Sequence, residues 1–251
     1  LEGEYNEKRA SQAYPWFIRW EERVEKALTV IVPAYNEEVL IAGCLDSLLN
    51  QTLKQEKYEI VVIDNDSTDL TAKIAVDRDI RVVKEPIKGY VHAIRKGMEV
   101  CQTEYIAFTD ADCIVPYNWL EKILAHFDVS KQVVGVGGKL AFYDIQPIVD
   151  KTFRSILYLN KALPGNNMAI RREALIQIGG IDPKVNLTVD YWLTLKLRKI
   201  GKLIIDKSLI VKTSGRRFRS SFDSDIKYFI NVLSMQMSSK PVFYDFPDIR
   251  D

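Results

Sequence analysis

Two aspartates one residue apart, Asp110 and Asp112, follow the short apolar run at 105–108 and are well placed to do chemistry. Carboxylates released just after a buried strand direct hard oxygen ligands at one point. Mg2+ or Mn2+ is commonly held by one or two such groups, with water and phosphate oxygens completing the shell. A cation held there neutralises a diphosphate leaving group. Alone, two aspartates in this spacing are better read as turn formers. Two further polar clusters change that balance: Pro33-Ala34-Tyr35-Asn36-Glu37 and Asp64-Asn65-Asp66-Ser67-Thr68-Asp69. Each also follows an apolar run. Like charges disfavour joint ionisation, so a rim that gathers these carboxylates calls for a cation or strong hydrogen bonds. Asp64 is suited to accept from a nucleobase or ribose, and Tyr35 to stack on a base. Ser67 or Thr68 is also suited to cap the next helix.

The elements that must position these residues follow from periodicity. Apolar β-rich runs at 28–32, 58–63, 80–83 and 105–108 predict strands. Stretches with helical spacing at 37–50, 68–76 and 90–101 lie between them. Strands alternating with helices imply a mostly parallel sheet with crossover helices on both faces. Ligands of such sheets bind beyond the carboxyl ends of the strands, where the three clusters fall.

Beyond Pro116 the alternation loosens. Helices are expected at 117–127, 148–159, 172–178, 188–200 and 223–237, and strands at 133–142, 203–205 and 209–212. Gly135, Gly137 and Gly138 mark a bulge or close backbone approach, and Gly179-Gly180 a helix stop. The first stretch, up to about Lys26, places Tyr14, Trp16, Phe17, Trp20 and Val24 on a helical face. It is read as a helix packed on the domain, the alternative being a Trp-rich helix at a lipid surface.

Composition narrows the function classes. The chain has 251 residues, 47% apolar and 27% charged, which suits one large folded domain. Its 35 basic and 34 acidic side chains give a net charge of +1, which argues against a nucleic-acid partner. Cys44, Cys101 and Cys113 have neither zinc nor redox spacing and are read as thiols in a reducing compartment. No signal-peptide pattern is read at the start. No apolar run approaches the roughly 20 residues of a membrane span. A cytoplasmic location is expected, with peripheral contact on the cytoplasmic membrane face as an option. His92 and His126 have no partner motif and are read as structural or surface residues.

Taken in order, Val-Pro-Ala-Tyr-Asn-Glu-Glu, Ile-Asp-Asn-Asp-Ser-Thr-Asp, Lys88-Gly89 and Thr-Asp-Ala-Asp resemble the family-2 group of inverting GT-A glycosyltransferases. The resemblance spans about 28–217. It implies an α/β GT-A (nucleotide-diphospho-sugar transferase) fold, with a mostly parallel central sheet flanked by helices on both faces. With the helical stretch at 1–26 read as an N-terminal appendage, it implies a transferase domain at 27–217. That domain divides into a donor half at about 27–115 and an acceptor half at about 116–217, followed by a C-terminal helix and tail at 218–251.

By the same resemblance, Pro33, Ala34, Tyr35, Glu37 and Asp64 hold the nucleoside of a UDP- or GDP-sugar. Asp110, Ala111 and Asp112 carry the diphosphate, with Asp110 and Asp112 on Mn2+ or Mg2+. Lys88 and Arg95 fall in the stretch that covers the nucleotide and are candidates for phosphate or ribose. Asp66 stands where the family often has glycine. In the acceptor half, Pro164-Gly165-Asn166-Asn167-Met168-Ala169-Ile170-Arg171-Arg172 resembles the segment near the sugar, which makes Asn166 and Asn167 site candidates. Thr188-Val189-Asp190-Tyr191-Trp192-Leu193 resembles the stretch whose central Asp is the general base, here Asp190. Val189 and Trp192 replace two acidic residues of that pattern. Arg216 and Arg217, in a segment with Lys212 and Arg219, suit a diphosphate because the guanidinium fork binds two oxygens. Contact with anionic lipid is the alternative.

The expected activity is transfer of one sugar to an acceptor hydroxyl of a glycan or lipid-linked acceptor. Two other readings stay open. A nucleotidyltransferase would usually carry a Gly-rich loop with a basic residue where Pro-Ala-Tyr-Asn-Glu stands. A non-catalytic nucleotide-sugar binder would fit the replacements at Val189 and Trp192.

Overall fold

Period-two burial explains why one sheet is covered on both faces. In β1 (Leu28–Ala34), Leu28, Val30, Val32 and Ala34 join one apolar cluster while Ile31 joins the other. β2 (Tyr58–Asp64) sends Tyr58, Ile60 and Val62 one way and Val61 and Ile63 the other. Tyr105 and Ala107 of β4 (Tyr105–Phe108) face the first cluster, and Ile106 and Phe108 the second. The computed structural model describes residues 26–144, 162–185, 187–216, 230 and 234.

The remaining strands are β3 (Arg81–Lys84), β5 (Cys113–Ile114), β6 (Val133–Phe142), β7 (Met168–Arg171) and β8 (Lys202–Thr213). They form one eight-stranded sheet in the order β3-β2-β1-β4-β7-β6-β8-β5. The helices are α1 (Ile41–Leu49), α2 (Thr71–Val76), α3 (Tyr90–Val100), α4 (Trp119–Val129), α5 (Arg172–Gln177) and α6 (Val189–Leu197). Leu45 and Leu48 of α1, Ala75 of α2 and Trp119 and Phe127 of α4 cover the first face. Ile94 and Met98 of α3, Leu175 of α5 and Leu193 and Leu197 of α6 cover the second.

Pairing is parallel through β3, β2, β1 and β4. Ala34 is level with Asp64, and Ile31 with Phe108, so the carboxyl ends of β1, β2 and β4 open on one rim as the alternation predicts. The sheet then becomes mixed. β7 runs antiparallel to both β4 and β6, while β6 and β8 are parallel. β7 was not foreseen as a strand, because a four-residue run inside a motif-rich segment gives too little alternation. The two short strands expected at 203–205 and 209–212 are one strand, β8, whose partner β6 shifts register at Val133/Gly135 and again at Gly137/Lys139.

The second shift explains a glycine. A Cβ on Gly138 would lie 2.1 Å from the Leu209 carbonyl oxygen and 2.5 Å from Asn167 Nδ2. Gly138→Ala is therefore expected to destabilise the chain by about 3 kcal/mol, the upper range for overpacking. At this chain length that is a melting temperature lower by roughly 6–12 °C, read by thermal denaturation. An unchanged melting temperature would mean that β6 and β8 separate easily at the bulge.

Two helices that follow the rim start later than the sequence suggests, whereas those expected from 90 and 172 begin there. The stretch expected to be helical from 37 begins at Ile41, and that from 68 begins at Thr71. Ser67 and Thr68 do not cap α2; both are bonded to the loop after β1. Gly179 and Gly180 end α5 with φ of 85° and 71°, as foreseen. His126 Nε2 is 2.8 Å from Asp206 Oδ2, a hydrogen bond joining α4 to β8. Burial works to raise the Asp206 carboxyl, but hydrogen bonds from His126 and Ser208 outweigh it and bring it down to about 2. The helices expected at 148–159 and 223–237, and the N-terminal one, lie outside the described residues.

Candidate active site

The rim is tied together by asparagines. Asn36, with φ 50°, donates its backbone N–H to Ser67 Oγ (3.1 Å) and accepts from the Thr68 N–H at its Oδ1 (2.9 Å). Asn65 donates from Nδ2 to the carbonyls of Glu85 (2.9 Å) and Ile87 (2.8 Å), and accepts from the Gly89 N–H (2.8 Å). The sequence reading gave neither a role of its own, although an amide just past a strand end was the available signal. Asp64 is buried and accepts from the Ser67 N–H at 3.1 Å. Asp66 has φ 66°, the left-handed region, which aspartate tolerates better than most residues. It therefore supplies the backbone conformation a glycine would take.

Tyr35 and Lys88 face each other across this rim. Lys88 Nζ donates to the Tyr35 hydroxyl at 3.0 Å and lies 4.8 Å from the ring centroid. Pro33, Ala34 and Glu37 are buried, and the Glu37 N–H donates to Thr71 Oγ1 at 2.7 Å. Arg95 points elsewhere: its guanidinium donates to the Ile181 carbonyl at 2.6 Å and ties α3 to the loop after α5.

Asp110 and Asp112 meet as the spacing implied. One ligand atom from each of Asp110, Asp112 and Cys113 falls within a 4.8 Å group. Asp112 is buried. Its Oδ1 accepts from Thr213 Oγ1 at 3.2 Å, and its carbonyl from the Tyr143 hydroxyl at 3.2 Å. Ala111 is buried between them. Burial, with Asp112 and Asp110 adding to it, pushes the Cys113 thiol well above its ordinary range. The two carboxylates of the group fit a hard cation completed by phosphate oxygens.

Arg216 already brings positive charge to this place. Its guanidinium pairs with Glu37 Oε1 and lies 3.5 Å from Asp112 Oδ2. Burial works against that charge, but Glu37 and Asp112 outweigh it and hold the group above its usual range. The segment is fixed from behind by the Ser214 hydroxyl, 2.7 Å from Asp144 Oδ2. Arg217 lies outside the described residues.

Asp190 sits in the first turn of α6, partly exposed. Its Oδ1 accepts from the Tyr191 N–H at 2.8 Å and its Oδ2 from the Gly165 N–H at 3.3 Å. Tyr90, which the sequence reading missed, places its hydroxyl 3.4 Å from Asp110 Oδ1. Asn166 is half-buried in the turn beside Gly165. Asn167 is a framework residue instead. It accepts from Trp119 Nε1 (2.8 Å) and donates to the carbonyls of Lys139 (2.8 Å) and Leu209 (3.0 Å), which occupies its amide in holding α4, β6 and β8. Val189 is buried in the second apolar cluster, and Trp192 packs on its edge beneath Lys196 Nζ, 5.2 Å from the ring.

The sequence model of one family, described as Glycosyl transferase family 2, matches residues 29–179. The chain belongs to glycosyl transferase family 2. Among relatives of this family-2 chain, a poly(ribitol-phosphate) beta-glucosyltransferase of Bacillus spizizenii is 30% identical over 151 residues, covering 52% of this chain and 23% of that protein. The chain spans between 23% and 36% of the length of the first curated relatives it matches. Among solved structures, a mannosyltransferase from Pyrobaculum calidifontis in complex with GDP-Man and Mn2+ superposes with a TM-score of 0.69 at 21% identity, covering 92% of this chain and 71% of that one. Glucosyl-3-phosphoglycerate synthase from Mycobacterium tuberculosis, in complex with Mn2+, UDP and phosphoglyceric acid, gives a TM-score of 0.64 at 18% identity, covering 96% and 84%. These likenesses carry the fold, and the family-2 chain has the α/β GT-A architecture. Among the described residues, no helix is long and apolar enough to cross a membrane.

Proposed function

We propose that the chain is an inverting glycosyltransferase that moves one sugar from a UDP- or GDP-sugar to an acceptor hydroxyl. The observation that carries this reading is the meeting of Asp110 and Asp112 beyond the parallel strands, with Tyr90 linking that pair to the turn that holds Asp190. Residues 27–217 act as the transferase unit, with the donor half before about 115 and the acceptor half after it.

Asp64 accepts from the base or ribose, and Tyr35 lies over the base once Lys88 turns from its hydroxyl toward phosphate. Pro33, Ala34 and Glu37 shape the floor of the nucleoside site. Asp110 and Asp112 hold Mn2+ or Mg2+, which supplies charge neutralisation for the departing diphosphate. Arg216 then exchanges its carboxylate partners for diphosphate oxygens, and Arg217, next in sequence, is proposed for the same role. Asp190 takes the acceptor proton as that oxygen attacks C1, so the new bond forms on the face opposite the leaving group. A positioned general base of this kind contributes roughly 10²–10⁴-fold. Asn166 lies toward the acceptor, whose identity as a glycan or lipid-linked hydroxyl is part of the same proposal. The action takes place at the cytoplasmic side.

Calorimetric titration with UDP-glucose and GDP-mannose, each with and without Mn2+, tests the reading. Binding of one of them that disappears on chelation is the expected result. No cation-dependent binding of either, nor of other UDP- and GDP-sugars, would overturn it.

A further inference from the structure

In the proposed reaction the transferred sugar lies between the Asp110–Asp112 pair, which faces the diphosphate, and Asp190, which faces the incoming hydroxyl. One side chain flanks that interval from α3. The Tyr90 hydroxyl is 3.4 Å from Asp110 Oδ1. It is also 3.5 Å from the point a Cβ on Gly165 would occupy, and that same point is 3.4 Å from Asp190 Cβ. The phenol thus stands between the two carboxylate sites, beside a backbone that carries no side chain.

Its position is built in. Tyr90 is the first residue of α3, and Gly89 before it has φ 132° and ψ 136°, a conformation open to glycine. Asn65 fixes that turn through the Gly89 N–H and holds the approach to it through Glu85 and Ile87. The ring packs against the second apolar cluster, which leaves the hydroxyl as the end that faces the site. A phenol both donates and accepts, so it can keep Asp110 as acceptor and take a second hydrogen bond from a ring hydroxyl.

We propose that Tyr90 contacts the donor sugar and sets which sugar is accepted, by hydrogen-bonding one ring hydroxyl on the side facing α3. This rests on the proposed function. It makes the residue at the start of α3 a specificity determinant separate from the nucleoside and diphosphate contacts, which leaves it a clear signature: it distinguishes a nucleotide sugar from the bare nucleotide.

The test is calorimetry of wild type and Tyr90→Phe with UDP and UDP-glucose, and with GDP and GDP-mannose, in Mn2+. For the donor that wild type binds, the variant is expected to lose about 3- to 10-fold more affinity for the nucleotide sugar than for the bare nucleotide, the range of one neutral hydrogen bond, beyond any loss common to both from the Asp110 contact. A second series, on wild type, uses deoxy-sugar analogues of that donor. Removing the contacted hydroxyl should reproduce the loss, and the variant should then show no further loss on that analogue. Equal weakening of nucleotide and nucleotide sugar would put the hydroxyl's role on the cation and diphosphate side and overturn the inference. So would unchanged binding of both, or a deoxy series in which no single hydroxyl matters. Wild type that binds no nucleotide sugar would overturn the proposed function itself and this inference with it, an outcome visible before any variant is made.

Discussion

Asp190→Asn is expected to lower turnover by roughly 10²–10⁴-fold, the usual worth of a positioned general base, while cation-dependent donor binding stays largely intact. The geometry makes the substitution informative. Asp190 Oδ1 accepts from the Tyr191 N–H, and Oδ2 from the Gly165 N–H. An amide keeps one acceptor and turns an N–H2 toward the other donor. It retains the bond to Tyr191 and loses the longer one to Gly165, so the helix start survives with a small local shift. What disappears is the basicity. Steady-state turnover and calorimetric donor affinity, measured on the same preparation, separate the two effects. A fall in turnover with unchanged affinity is the pattern of a group needed only in the transition state. Equal loss of both would make Asp190 a binding or structural residue. Wild type that binds donor but never turns over any acceptor would favour a non-catalytic binder.

The donor half was legible because it is local. Each of its four parallel strands carries its own apolar run, and Asp64, Asp110 and Asp112 lie within a few positions of the strand that presents them, whereas the two-residue β5 gives no such run. Asp64, Asp110 and Asp112 needed only the rule that ligands sit beyond parallel strand ends. The acceptor half depends on pairings remote in sequence. β7 joins β4 and β6 antiparallel, and its four residues carry no periodic signal of their own. Asn167 illustrates the limit. Its type and motif pointed to the site, but its three partners come from α4, β6 and β8, which no local pattern reveals. Tyr90 was missed for the opposite reason: an aromatic at a helix start usually reads as core, and only the fold brings it to Asp110.

The departures from the family pattern also resolve differently. Asp66 takes the left-handed backbone that glycine favours, with φ 66°. Val189 and Trp192 enter or flank the apolar cluster beneath α6. They thereby exchange charge near Asp190 for packing, and leave Asp190 as the carboxylate of the first turn.

Asp112→Ala is expected to weaken cation-dependent donor binding by at least about 100-fold, since even outer-shell changes at metal sites cost 10–100-fold. Asp112→Asn separates charge from shape. The amide oxygen can still accept from Thr213 Oγ1, so the loop between β4 and β5 should hold, and thermal melting should move little. Arg216 keeps Glu37 as partner in either variant. If the carboxylate's charge holds the cation, the Asn variant behaves as the Ala variant does in calorimetry with Mn2+, and its residual donor binding no longer responds to chelation. That residual binding is informative, because Asp64 and Tyr35, the proposed nucleoside contacts, should still hold the nucleoside. Full cation dependence in the Asn variant would remove Asp112 from the metal site and leave it the task of anchoring Arg216 and Thr213. The distance of 3.5 Å from Arg216 to Asp112 Oδ2 makes the two outcomes separable: a guanidinium is already drawn to the place where the proposal puts a divalent ion, so losing one charge there must change how the other is held.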